Sequence, residues 1–281
     1  MDPIKKNLDT INVARKIARR TVGQNHGAIT RLMSPSDFGQ LLKPFVFLDQ
    51  FDHEGEPFYL PLHPHSGIAT LTYVAEGGVS YIDPDGTRGT LAAGGVEWMQ
   101  AGGGMWHGGG IDHAGRTRGF QLWIALPPHL ESGPHLGLYQ APQEIQRHGP
   151  ARVLLGSYGK AASAIQAPSS MNYLAVRLKA GESWSYQPPK DHTVLWASVL
   201  SGTVTVPDEL HSGELAAFEP SNQSVLFIAV TDVEFVLGSA AAHDHDLFLG
   251  RYSVHTSAEA LRAGETKITE IRHRLIQEGR L

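Results

Sequence analysis

Three of the fifteen histidines stand where their spacing could do chemistry. His63 and His65 are one residue apart in Leu62-His63-Pro64-His65-Ser66-Gly67, just before an apolar run at 69–74 that reads as a strand. Residues i and i+2 of an extended chain point to the same face. Two imidazoles on one face can clamp a metal ion. His107, in Met105-Trp106-His107, follows a glycine-rich turn and opens another strand, and an antiparallel neighbour could bring its ring to the same point. Imidazole donors suit Fe, Ni, Cu and Zn alike. The competing reading is three structural histidines.

The elements that must position these rings read as β-structure. Thirty-one glycines and seventeen prolines exceed the usual ~12% of a chain, which points to many turns and short strands. In the first half, strands are expected at 69–74, 79–83, 96–100 and 119–126, punctuated by Glu76-Gly77-Gly78 and Asp83-Pro84-Asp85-Gly86. Residues 131–150 read as a connection. Strand-like runs then recur at 172–178, 193–200, 203–206, 214–218, 224–230 and 234–237, followed by helical pieces at 257–263 and 267–278. At the start, Leu8, Ile11, Ala14 and Ile17 recur at helical spacing behind Asp9, which predicts a short basic helix packed on the body.

The halves resemble each other. Tyr73-Val-Ala-Glu-Gly77 matches Val199-Leu-Ser-Gly202, and Gly89-Thr-Leu-Ala-Ala93 matches Gly213-Glu-Leu-Ala-Ala217. Duplication of one antiparallel unit explains both matches. Counting from the matched glycines, the positions of His65, His63 and His107 fall in the second copy on Lys190, Pro188 and Thr231, none of which can build a histidine site. Two further tracts imitate sites. Gly102-Gly103-Gly104 and Gly108-Gly109-Gly110 lack the Lys-Ser/Thr of a phosphate loop and read as tight turns. His243-Asp244-His245-Asp246 reads as a solvated turn.

An H-x-H pair, glycine-turn strands and a distant histidine together resemble the cupin superfamily. The finer text resembles the pirin family: Phe47-Leu48-Asp49, His63-Pro64-His65-Ser66-Gly67, Leu71-Thr72-Tyr73-Val74-Ala75-Glu76-Gly77, the run from Gly95 through Trp98-Met99-Gln100-Ala101 to Gly104, and Gly119-Phe120-Gln121-Leu122-Trp123. The resemblance implies an all-β chain of two tandem cupin (double-stranded β-helix, or jelly-roll) barrels with short terminal helices. Residues 1–150 would carry the metal site, and residues 151–281 a second barrel without ligands. It implies one divalent ion, Fe(II) first, held by three His and one Glu. The histidine positions fall on His63, His65 and His107. The Glu position falls on Gly109, so the family carboxylate is missing. Substitutes within reach are Glu97, His113 and Asp112, and restoring Glu at 109 is expected to tighten binding. Met99 and Trp106 are expected to shape the pocket.

The implied activity is that of a dioxygenase acting on quercetin-type flavonols. Its substrates would be dioxygen and a small enolisable aromatic, whose anionic oxygen offsets the charge left by three neutral imidazoles. The alternative is a metal-binding regulatory protein that engages a protein partner without turnover. A net charge of −5 argues against a generally basic nucleic-acid surface. The absence of cysteine excludes thiolate chemistry, disulfide scaffolds and iron–sulfur clusters. With no apolar run near ~20 residues and no apolar leader, a cytoplasmic monomer without membrane attachment is expected.

Overall fold

The computed structural model describes residues 15–281. Two seven-stranded and two four-stranded antiparallel sheets make up the body. In the first half the larger sheet runs, in spatial order, β12 (Leu136–Gln140), β9 (Val96–Gln100), β6 (Ile68–Glu76), β11 (Gly115–Ala125), β4 (Phe45–Gly55), β3 (Ile29–Met33) and β2 (Gln24–His26). Facing it are β5 (Phe58–His65), β10 (Met105–Ile111), β7 (Gly78–Ile82) and β8 (Arg88–Ala92). The second half repeats this order strand for strand. Its larger sheet is β1 (Ile17–Thr21), β22 (Leu215–Phe218), β19 (Val194–Ser201), β24 (Val233–Ala240), β17 (Met171–Leu178), β14 (Ala151–Leu155) and β13 (Arg147–His148). Its smaller sheet is β18 (Ser183–Tyr186), β23 (Val225–Ala229), β20 (Thr203–Val206) and β21 (Asp208–His211). Two tandem cupin barrels are therefore the architecture. The hairpins β15 (Ser157–Tyr158) with β16 (Ala161–Ala162) and β25 (Phe248–Leu249) with β26 (Val254–His255), and the helices α1 (Phe38–Leu42) and α2 (Ala258–Gln277), complete the described chain. Among the described residues, no helix is long and apolar enough to cross a membrane.

The two larger sheets pack face to face. Alternation along β6 sends Leu71 and Tyr73 into the shared core, where Trp98, Phe120 and Phe45 meet Tyr173, Trp196 and Val236 from the second barrel. The Phe45 and Trp196 rings sit edge-on at 5.6 Å. Thr70 and Thr72, on the opposite face of β6, point into the first barrel. With both faces covered, eight of the nine β6 residues are buried. The interiors differ in kind. The second barrel is filled by Trp184, Tyr186, Phe227, Phe235, Leu237 and their neighbours, whereas the first is lined in part by Asp49, Thr72, Glu97 and Gln121 around an open cavity.

The strand order corrects the sequence matching at one point. Gly77 and Gly202 are equivalent turns, with φ +77° and +82°. Gly213 is equivalent to Gly94, not to Gly89: each closes the turn into the next strand, with φ +83° and +86°, while Gly89 lies inside β8. The ladders then set the true equivalents. Gly110 pairs with both Ser80 and Tyr59, just as Ile228 pairs with Thr205 and Ser183, and from there the ladders run on to His107 opposite His63 and to Val225 opposite Tyr186. The positions of His63 and His107 are thus occupied by Tyr186 and Val225, and not by Pro188 and Thr231. Counting failed because the link from β18 to β19 is longer than the two-residue link from β5 to β6.

The chain termini also depart from expectation. Residues 1–14, with most of the expected basic helix, lie outside the described residues; Ile17, Arg19 and Arg20 are in strand β1, paired with β22. Arg15 is buried and donates to the carbonyls of Glu219 and Thr193. The expected connection at 131–150 contains β12, which extends the first barrel alongside β9. The two expected C-terminal helical pieces form one helix, α2, capped by the Ser257 hydroxyl, which accepts from Ala260 N at 3.1 Å. Gly264 does not break it. A Cβ there would lie 2.5 Å from Ser66 Oγ and from His255 Nε2, so glycine lets the helix lie against the first barrel.

Trp196 is fully buried between Phe45 and Tyr173. Replacing it with Ala should cost about 3–5 kcal/mol, read as a lower urea midpoint of unfolding.

Candidate metal centre

The antiparallel register of β5 and β10 builds the histidine cluster. His63 and His65 share a face of β5, and pairing sets His107 directly opposite His63. Ring centroids are 4.5 Å apart for His63–His107 and 5.1 Å for both His63–His65 and His65–His107. One ring nitrogen from each lies within 4.8 Å of the others. His65 and His107 are buried and His63 is half-buried.

Hydrogen bonds settle which nitrogens are free. His63 Nδ1 is 2.9 Å from Pro61 O, and His65 Nδ1 is 3.1 Å from Tyr252 O. A carbonyl only accepts, so each Nδ1 carries the proton and each Nε2 keeps its lone pair. His65 Nε2 and His107 Nε2 are buried without a partner, an arrangement that costs about 1–3 kcal/mol per orphan group. Burial lowers the His65 pKa to about 3, with His63 adding to the shift. Burial and the two neighbouring rings likewise hold His107 well below the ordinary histidine value. The cluster therefore presents neutral donors at pH 7, the form a metal ion requires, and its orphan lone pairs are the feature such an ion would satisfy.

Two spaces meet at these rings. An inner cavity of about 120 Å³ reaches His63 and His107 and is lined by Asp49, Thr72, Glu97 and Gln121. An outer cleft of about 600 Å³ reaches His63 and His65 and is lined by Arg31, Phe47, Trp123, Arg251 and Tyr252. Phe47 and Trp123 stack at 4.1 Å, the Arg31 guanidinium lies 3.9 Å over Phe47, and Trp123 meets His65 edge-on at 4.9 Å.

The other expected site residues fall elsewhere. Met99 is buried with Ala101 and Met105 against Tyr139 and does not line the cavity. Trp106 alternates away from His107, and its Nε1 donates to Ile268 O of α2 at 2.8 Å. Glu97 is on the cavity wall but outside the group of converging nitrogens. His113 bonds the carbonyls of Ala114 and Gly78, and Asp112 is exposed; neither joins the cluster. His243 and His245 approach each other to 5.4 Å but form no metal-holding group among the described residues.

Several participants carried no local signal. The Tyr252 carbonyl that orients His65 comes from 187 residues away. Beside it, Ser66 Oγ contacts Ser253 Oγ at 2.8 Å and His255 Nε2 at 3.0 Å, while His255 Nδ1 donates to Glu131 Oε2 at 3.1 Å. This is the hydrogen-bond order of a nucleophilic triad, but all four residues are buried, and Gly264 of α2 closes over the serine. Its role is to fasten the C-terminal segment next to His65. Arg31 pairs with Asp49 across β3 and β4; their opposite charges on neighbouring strands were the one legible hint.

Position 109 also behaves differently from expectation. Gly108-Gly109-Gly110 is not a turn but the middle of β10. A Cβ on Gly109 would sit 2.3 Å from Ser80 O of β7, so the strand can pass only without a side chain there. Gly109→Glu should therefore weaken the site and not tighten it. Gly109→Ala alone should destabilise by about 1–3 kcal/mol, read by denaturant unfolding.

The family model described as Pirin matches residues 27–124. A pirin-like protein of Solanum lycopersicum is 33% identical over 269 residues, covering 89% of this chain and 89% of that protein. Among solved structures, a quercetin 2,3-dioxygenase from Acinetobacter baumannii aligns with TM-score 0.84 at 24% identity, covering 92% of this chain and 97% of that one. A bacterial pirin, YhhW of Escherichia coli in complex with nickel(II), aligns with TM-score 0.65 at 21% identity, covering 82% and 98%. The structures share the two-barrel fold, and the sequence identity over nearly the whole length of both proteins decides the family: the chain belongs to the pirin family.

Proposed function

We propose that the chain is a metal-dependent dioxygenase acting on flavonol-type enols, with one divalent ion held by His63, His65 and His107. The observation that carries this reading is the pair of buried, partnerless Nε2 atoms on His65 and His107, converging with His63 beside an open cavity. Fe(II) is our choice from the family resemblance. Nickel, the ion in the YhhW complex, and copper or zinc suit the same imidazoles. The solved dioxygenase of like fold supports the assignment of reaction class.

When bound, the ion supplies a Lewis-acidic centre that favours the deprotonated form of an enol and the redox chemistry with dioxygen. The protein's own residues set the conditions for that chemistry. Three neutral imidazoles add no negative charge, so an anionic oxygen from the substrate is the complementary ligand. The stacked pair Phe47 and Trp123 offers a flat wall to an aromatic ring, and Arg31 and Arg251 flank the cleft with positive charge. A protein that only engaged partners would not need a cavity opening onto these histidines.

His65→Ala should abolish metal content, and His243→Ala should leave it unchanged, both measured by elemental analysis of purified protein. With equal iron loading, wild type should consume oxygen with a flavonol and His107→Ala should not; equal rates would assign the turnover to free iron.

A further inference from the structure

The inner cavity has two carboxylates, Asp49 and Glu97. Asp49 is spoken for, since Arg31 binds it through both Nε and Nη2. Among the described residues, Glu97 has no cation partner. Only 7% of it is exposed. The Thr72 hydroxyl donates to its Oε2 at 2.8 Å, which leaves Oε1 for the cavity. The titratable groups around it are His53, His63 and His107 on the cavity wall, Asp49, Tyr81, and the pair Tyr139 and Asp83, in which the tyrosine hydroxyl donates to the carboxylate. None of these seven brings a permanent positive charge. Position 109 is closed to any side chain.

We infer that Glu97 takes the proton from a weakly acidic hydroxyl, an enol or a phenol, held at the histidine centre, and does so without being a ligand to the metal. The inference rests on the reading of His63, His65 and His107 as that centre. In the transfer the ligand's O–H bond breaks, its electron pair stays on oxygen, and the proton forms a new O–H bond on Glu97. One negative charge thereby moves from the carboxylate to the ligand oxygen, toward the three uncharged imidazoles. Burial raises the Glu97 pKa to about 7, against the lowering effect of the Thr72 hydrogen bond. At neutral pH the residue is therefore divided between acceptor and donor forms, the match that makes a general base effective.

Proton release separates this role from a structural one. The experiment titrates iron(II)-loaded protein with 3-hydroxyflavone without oxygen, in buffers of differing ionisation heat, and counts protons released by calorimetry. Just above pH 7, Glu97 is ionised before binding and the anionic ligand oxygen beside it then raises its pKa, so wild type should release almost none, because Glu97 keeps the proton. Glu97→Gln, with the same iron content, should release about one. Well below that pH, wild type should also release about one, since Glu97 is already protonated. Thr72→Val removes the bond that favours the carboxylate, so it should move the changeover to higher pH without abolishing it. Equal proton counts for wild type and Glu97→Gln at every pH would overturn the inference, as would loss of iron from Glu97→Gln, which would make the residue a ligand. Binding of 3-hydroxyflavone equally well to wild type and His107→Ala would instead overturn the reading of the histidine centre, and the inference with it.

Discussion

The ladder between β5 and β10 is the constraint on which the site depends. It sets His107 opposite His63 and Met105 opposite His65. A slip of one residue would turn β10 over and replace His107 with Trp106. The glycines of β10 serve the same ladder. They let the strand run between the backbones of β5 and β7 at distances no side chain permits. The carboxylate that the family pattern implies at Gly109 is thus sterically exchanged for close strand packing.

The duplicated barrel shows what this arrangement costs. In the second copy the matching strands β18 and β23 carry Trp184, Tyr186 and Phe227 inward, and no histidine. The aromatic set closes into a core, with Trp184 5.6 Å from both Phe227 and Tyr186. Burial of each such ring stabilises by about 1.5–3 kcal/mol. The histidine set instead leaves two polar atoms unsatisfied and a cavity beside them. One copy stabilises and the other is available for chemistry, and the shared core of Tyr73, Trp98, Trp196 and Val236 holds them together.

The first barrel is also braced from outside. After β24 the chain returns to it: Tyr252 fixes His65, Ser253 and His255 bond Ser66, and Glu131 receives both His255 and the Thr256 amide. α2 then lies against β10, held by the Trp106–Ile268 bond. The C-terminal segment thus stabilises the ring orientation that the β5–β10 ladder establishes.

Much of this was legible in the residues themselves. The turn glycines, the period-two runs and the H-x-H pair determined an all-β duplicated chain with His63, His65 and His107 as the candidate cluster, because alternation and turn chemistry are local properties. Local reading did not reach the register of the second copy, where a longer link between β18 and β19 shifted the count. It misplaced Met99 and Trp106, whose neighbours are settled by what packs on the far side of each strand. It also read α2 as two pieces, because the reason for Gly264 is a contact with Ser66 nearly two hundred positions earlier. Tertiary structure alone decided the closure of position 109, the anchoring of His65 by Tyr252, and the isolation of Glu97 on the cavity wall. Each depends on which backbone or charge lies opposite in space, and residue types and spacing along the chain do not encode that distance.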